Sequence, residues 1–303
     1  MSYKVRVKNV SKAFEIMTKK RNRLLSLFTG GSSKNTKPFF ALKNISFDVE
    51  AGDAVGILGL NGSGKSTLTD LLAGVTQPTS GSIEVDGVPS LIAIGAGLEQ
   101  DLTGVENIRY KCLMHGLSPQ KIDSIFDEIV EYSELGDFIH QPLRMYSSGM
   151  RSKLGFAIAI HTGTDLLIID EALSVGDKTF SDKSAESIKE FVGQGKTVFF
   201  VSHAPGALKK MCNKGVWLHF GEMRAAGDIN EVSEQYEAFI EGYNQLSKEE
   251  QLEYREKMSE SQFGEPGDVN KIREKVPMRT MISTFLFFMF TILVIIYHTW
   301  VVI

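Results

Sequence analysis

The densest chemistry in this chain lies at residues 59–66, Gly59-Leu60-Asn61-Gly62-Ser63-Gly64-Lys65-Ser66, a complete G-x-x-x-x-G-K-[ST] pattern. Glycines there let backbone N–H groups converge on phosphate oxygens with no Cβ in the way. Lys65 offers a cation to the β- and γ-phosphates, and Ser66 offers a hydroxyl to Mg²⁺. Asn61, Gly62, Ser63, Gly64 and Thr67 belong to the same turn and are expected to bind the phosphates with Gly59. A pair of acids, Asp170 and Glu171, closes an apolar run. Asp170 is placed to hold Mg²⁺, and Glu171 to orient and polarise an attacking water. His203 follows a second apolar run. From there it could contact the γ-phosphate or hold Glu171 and the water in line. A further group of small residues, Tyr146-Ser147-Ser148-Gly149-Met150, stands just before a helix-like run. Such a start is another anion-binding end. One chain cannot easily bring two such ends to one γ-phosphate, whereas a head-to-tail pair of chains can.

These residues need elements to position them. Residues 54–58 read as a short apolar strand and 67–73 as a helix, so the glycine loop lies between strand and helix. Residues 164–169 and 197–202 each hold an unbroken apolar tetrad, Leu166-Leu167-Ile168-Ile169 and Val198-Phe199-Phe200-Val201, the pattern of strands buried in a parallel sheet, whose carboxyl ends gather ligands. An α/β fold follows. The two cysteines, Cys112 and Cys212, have no metal-ligand spacing and read as reduced packing residues.

The net charge is −4, yet residues 1–43 hold eleven Lys and Arg against the single acid Glu15. A basic front suits nucleic acid, an anionic membrane surface or an acidic partner. No recognition helix, zinc-finger spacing or aromatic-basic RNA motif accompanies it, so no nucleic acid is expected as partner.

In order and spacing, the phosphate loop, Y-S-S-G-M, L-L-I-I-D-E, the S-V-G-D of Ser174 to Asp177, and S-H resemble an ABC-transporter nucleotide-binding domain over roughly residues 3–240. The resemblance implies a P-loop NTPase fold with a RecA-like core, a β-subdomain and a helical subdomain, and ATP with Mg²⁺ as ligands. It implies that Ser147 and Gly149 act across a dimer of two copies of this chain, and that Asp177 belongs to a loop crossing that dimer. Phe14 matches the aromatic residue that stacks on adenine. Two departures stand out. The family's usual L-S-G-G-Q is altered at Ser148 and Met150, and the expected Q-loop glutamine is missing from residues 92–100, with Glu99 or Gln100 as candidate substitutes.

Finer details narrow the likeness. G-A-G-L before L-T-G-V-E-N-I, the run Y-S-S-G-M-R-S-K-L-G-F-A-I-A, D-E-A-L-S-V-G-D and W-L-H-F-G are similar to the polysaccharide-export branch, above all to teichoic acid export ATP-binding proteins of Gram-positive bacteria. That implies an ATPase subunit, working with two permease subunits, that exports a lipid-linked anionic polymer. O-antigen exporters share much of the pattern but typically append a soluble sugar-binding domain, and none is read here. ABC ATPases acting on DNA or ribosomes, the reading from another class, carry long coiled-coil insertions or two ATPase halves.

Three segments complete the expectation: an ATP-binding domain over 1–242, a charged cytoplasmic linker over 243–280, and a transmembrane helix over 281–303. The last has 23 residues without Lys, Arg, Asp or Glu, long enough to cross a bilayer. Lys271, Arg273, Lys275 and Arg279 precede it, which puts the ATPase domain on the cytoplasmic side of the cell membrane and the C-terminus outside. Residues 16–40 read as a basic amphipathic insertion suited to the membrane face or the permease.

Overall fold

The computed structural model describes residues 3–15, 37–92, 98–170, 178–202, 204–265 and 289. Glu171, Asp177, His203, most of the basic insertion, residues 93–97 before Leu98 and, Met289 apart, the expected span 281–303 lie outside the described residues. Among the described residues, no helix is long and apolar enough to cross a membrane.

In chain order the elements are β1 (Tyr3–Glu15), β2 (Pro38–Glu50), β3 (Ala54–Leu58), α1 (Lys65–Leu72), β4 (Ser80–Val85), β5 (Pro89–Ile92), α2 (Gly104–Met114), α3 (Pro119–Ser133) and α4 (Ser148–His161). There follow β6 (Leu166–Asp170), α5 (Lys178–Gly193), β7 (Thr197–Val201), α6 (Pro205–Met211), β8 (Lys214–His219), β9 (Glu222–Asp228), α7 (Ile229–Gln245) and α8 (Lys248–Ser261).

Six strands form one sheet in the order β5-β6-β7-β3-β8-β9, parallel except for the β8–β9 hairpin. A second, antiparallel sheet has the order β2-β1-β4. Side chains of a strand alternate between faces, and β6 shows what that does here. Leu166 and Ile168 enter a core shared with Val7, Leu42 and Ile45 of the antiparallel sheet and Leu68 of α1. Leu167 and Ile169 enter the opposite core, with Phe156, Phe180, Ile188 and Ile229. Covering both faces is what demands uninterrupted apolar strands, and all five residues of β3 and of β7 are buried.

A separate helical lobe has its own core, built on Ile108, Ile122, Ile129, Leu143, Leu154 and Ile158. Its helices start on strong caps. Thr103 and Glu106 make a reciprocal capping box at α2, and Ser118 caps α3 ahead of Pro119.

Within the stretch read from sequence as a charged linker, α8 has no buried residues, yet it docks on the body. Tyr254 Oη lies 2.8 Å from Nε2 of the buried His219, and its ring meets those of His219, Phe220, Phe239 and Tyr243. Past α8 the chain folds back to β2. Phe40 N donates to Gln262 O at 2.8 Å and Gly264 N to Pro38 O at 2.9 Å, closing an antiparallel bridge between Phe39 and Phe263.

Candidate nucleotide site

The buried strand β3 delivers residues 59–66 to the carboxyl edge of the parallel sheet. Gly64 adopts φ +104° just ahead of α1, and a Cβ there would come within 2.5 Å of Ala41 O and 2.7 Å of Leu42 Cδ2. Both the dihedral and the close approach of β2 therefore require glycine. Gly59 is hemmed in too, because a Cβ on it would collide with Leu218 O and Ser63 Oγ. The loop is pinned from below, where Gly221 N of the β8–β9 turn donates to Ser63 O at 2.9 Å. Ser63 is 1% exposed, so its hydroxyl faces inward rather than toward the mouth of the loop. Asn61, Gly62 and Ser66 are exposed, and Thr67 is half-buried.

The donor set fits a polyphosphate. α1 begins at Lys65 with no side-chain cap and no acidic residue in its first turn, so its leading N–H groups and positive end face an anion without competition from a side chain. The Lys65 ammonium is drawn across the loop, donating to Gly59 O at 2.8 Å and Leu60 O at 3.1 Å.

Asp170 ends β6, level with Val201 of β7, which in turn is level with Ile57 of β3. Two strand spacings, about 10 Å, therefore separate its backbone from the strand that carries the loop. Glu171 is the next residue in sequence, and His203 comes two residues after β7 ends; both lie outside the described residues. Among the described residues, no cluster of three His, Cys, Asp or Glu could hold a metal. Ser66 and Asp170 are the candidate ligands for a Mg²⁺ at this edge, an ion that shares its coordination with phosphates and water.

Phe14 lies on β1 opposite Phe39 of β2 and is 45% exposed. Lys12 Nζ sits 5.4 Å from its ring centroid while donating to Thr76 Oγ1 and Gln77 O just past α1. The aromatic face is thereby tied to the helix that starts at the loop.

Ser147 and Gly149 stand elsewhere, on the helical lobe. Ser147 caps α4, its Oγ accepting from Met150 N at 3.2 Å, and it is exposed. Tyr146 beneath it is buried and donates from its hydroxyl to Phe138 O at 2.7 Å, and burial pushes its pKa up to about 12. The corner is rigid and faces solvent.

The candidate Q-loop substitutes are bound to this same lobe. Gln100 O accepts from Arg144 N at 2.9 Å, and Gln100 Oε1 from Arg151 Nη1 of α4 at 3.4 Å. Glu99 is clasped by Asn107, whose Oδ1 accepts from Glu99 N at 2.8 Å and whose Nδ2 donates to Glu99 O at 3.0 Å. Sequence reasoning missed the organising role of Asn107. A fully buried asparagine can be recognised only once α2 is seen to bury that side.

Comparison with known proteins places the chain. A family description titled "ABC transporter" matches residues 42–174. The teichoic acids export ATP-binding protein TagH of Bacillus anthracis is 48% identical over 265 residues, 87% of this chain and 48% of that protein. Its counterpart in Listeria innocua is 45% identical over 259 residues, 86% of this chain and 77% of that protein. The chain thus spans about half the length of the first relative and three quarters of the second. Among solved structures, a dimeric ATP-binding cassette in a post-hydrolysis state bound to ADP and Pi superposes with TM-score 0.62 at 20% identity, covering 74% of this chain and 98% of that one. An ATP-binding subunit of an ABC transporter superposes with TM-score 0.63 at 22% identity, covering 83% and 98%. These two share the fold.

Proposed function

This chain belongs to the ABC-transporter ATP-binding family, in the group of the teichoic acids export ATP-binding proteins, and from that membership we infer that it is the ATP-hydrolysing subunit of an exporter moving lipid-linked teichoic acid across the cytoplasmic membrane. The observation that carries the ATPase reading is the phosphate loop itself: a left-handed Gly64, an uncapped α1 and a lysine held over the loop carbonyls. No other described part of the molecule offers a polyphosphate so complete a set of donors.

In this reading Gly59, Asn61, Gly62, Gly64 and Thr67 bind the triphosphate through the loop backbone, and Ser63 keeps that backbone in shape. Lys65 neutralises charge on the β- and γ-phosphates, and Ser66 and Asp170 would hold Mg²⁺. That ion would supply positive charge to offset the charge of the transferring phosphoryl group. Glu171 orients and polarises the water, His203 keeps that pair in line, and Phe14 stacks on adenine. Ser147 and Gly149 of a second copy complete the site, with Asp177 at the crossing between copies. The exposed, rigid Ser147 corner supports that arrangement, because it stands on a lobe with a core separate from the one beneath the loop. Catalysis is then positioning and charge stabilisation.

Two permease subunits supply the path for the polymer. The apolar stretch 281–303 anchors the chain in the membrane, with the ATPase domain cytoplasmic and the C-terminus outside. The decisive variant is Glu171→Gln. It is expected to bind ATP normally, to hydrolyse it at least about 100-fold more slowly, to accumulate as an ATP-bound dimer in size-exclusion chromatography, and to leave lipid-linked polymer on the cytoplasmic side. Wild-type turnover in that variant overturns the reading.

A further inference from the structure

The return of the chain to β2 brings a third aromatic ring to the nucleotide edge. Phe14 of β1 pairs directly with Phe39 of β2, and Phe39 pairs on its other side with Phe263. Residues directly opposite one another in antiparallel pairs share a face. Phe14, Phe39 and Phe263 therefore form one row across three neighbouring backbone segments. The rings of Phe39 and Phe263 meet edge-to-face, centroids 5.5 Å apart at 63°. The outer two remain open to solvent, Phe14 at 45% and Phe263 at 41%. The row therefore leaves apolar ring surface accessible at both ends.

The row is fixed relative to the phosphate loop. Gln262 is 4% exposed, and its Nε2 donates to Phe40 O at 3.1 Å. A Cβ on Gly221 would come within 3.2 Å of that Nε2 and 3.0 Å of Phe40 O. Gly221 is the residue that donates to Ser63 O. The β8–β9 turn is thus bonded to the loop through Gly221 N and to β2 through Gly221 O, which accepts from Lys43 N at 2.7 Å, and Gln262 binds the same strand at Phe40.

We propose that Phe263 is a positioning residue for the nucleotide base: by packing on Phe39 it fixes the cross-strand neighbour of Phe14, so that a purine stacks beside it on Phe14 while its phosphates occupy the loop. This rests on the reading of Phe14 as the base platform. A preformed face saves the ordering cost that a mobile ring would add to binding.

The test uses the purified full chain, with ATP and inorganic tripolyphosphate as ligands, both with magnesium. Tripolyphosphate engages the loop but has no base. Phe263→Ala is expected to raise the KM and Kd for ATP about two- to tenfold, the scale of an aromatic pair, with kcat unchanged and tripolyphosphate affinity unchanged. Phe263→Tyr restores ATP affinity. Phe14→Ala, measured alongside, weakens ATP and spares tripolyphosphate. If Phe14→Ala weakens ATP while Phe263→Ala does not, the positioning role is overturned and the base platform stands. If Phe14→Ala leaves ATP affinity intact, the platform reading fails and takes this inference with it. Equal losses for ATP and tripolyphosphate in Phe263→Ala also overturn the proposal, since they reveal damage to the loop.

Discussion

The hydroxyl of Ser147 has one proton and two lone pairs. One lone pair accepts from Met150 N to cap α4, so the proton remains for the phosphate oxygen that the proposed dimer would bring to it. The two tasks can be separated by substitution. Ser147→Ala loses both, and is expected to cost about 1 kcal/mol of stability together with most of the ATPase activity. Ser147→Asp keeps the cap and the favourable charge at a helix start, so its thermal midpoint stays near wild type. Its carboxylate repels the terminal phosphate, so its ATPase falls as far as that of the alanine variant. Thermal melts and phosphate release on the same preparations check both halves. If Ser147→Asp retained activity, the hydroxyl would have no phosphate to serve.

At the scale of elements, α8 docks against a histidine whose burial favours the neutral ring. Burial pushes His219 down to about 4, helped by the Arg224 cation and opposed by Glu222. Its Nε2 faces Tyr254 Oη, and its Nδ1 is buried without a partner among the described residues. The folded-state value lies below the ordinary 6.5, so the unfolded chain takes up the proton first as pH falls. This contribution to stability is complete above about pH 6.5 and is lost progressively toward pH 4, up to about 3 kcal/mol in all. The expected result is a drop in thermal midpoint between pH 7 and pH 5 that becomes smaller in His219→Gln, measured by circular dichroism. An equal drop in both proteins would remove His219 from the account.

The same elements show what a sequence can reveal. Strands β3, β6 and β7 were legible because burial on both faces forces continuous apolar runs. The loop was legible because glycine spacing is itself the geometry. The two cysteines read as packing residues are buried, and burial raises Cys112 to about 11 and Cys212 to about 12. The contacts of Gln262 and Phe263 with β2 were not legible. They join residues 222 or more positions apart, and one glutamine amide with one ring pair makes no periodic pattern in the sequence. α8 has no buried residues, so it carries no apolar stripe to announce the contacts of Tyr254 and Gln251 with the body.

For the molecule as a whole, Lys65 and Ser147 stand on lobes with separate cores, and in the proposed dimer each site would draw on both chains. Two inactive variants should then complement each other. In a mixed dimer of Lys65→Ala and Ser147→Ala chains, one site receives both defects and the other receives the intact Lys65 of one chain with the intact Ser147 of its partner. Random mixing leaves roughly a quarter of all sites whole, so phosphate release should rise well above that of either variant alone. No rise on mixing would count against shared sites.

Any tension on residues 266–303 passes through residues 262–264 before it can load α8 or α7. Three hydrogen bonds to β2 and one ring contact stand in its way. Under load this short return of the chain would act as a mechanical fuse. A pull strong enough to open it would peel Phe263 from Phe39 while the rest of the domain remained folded.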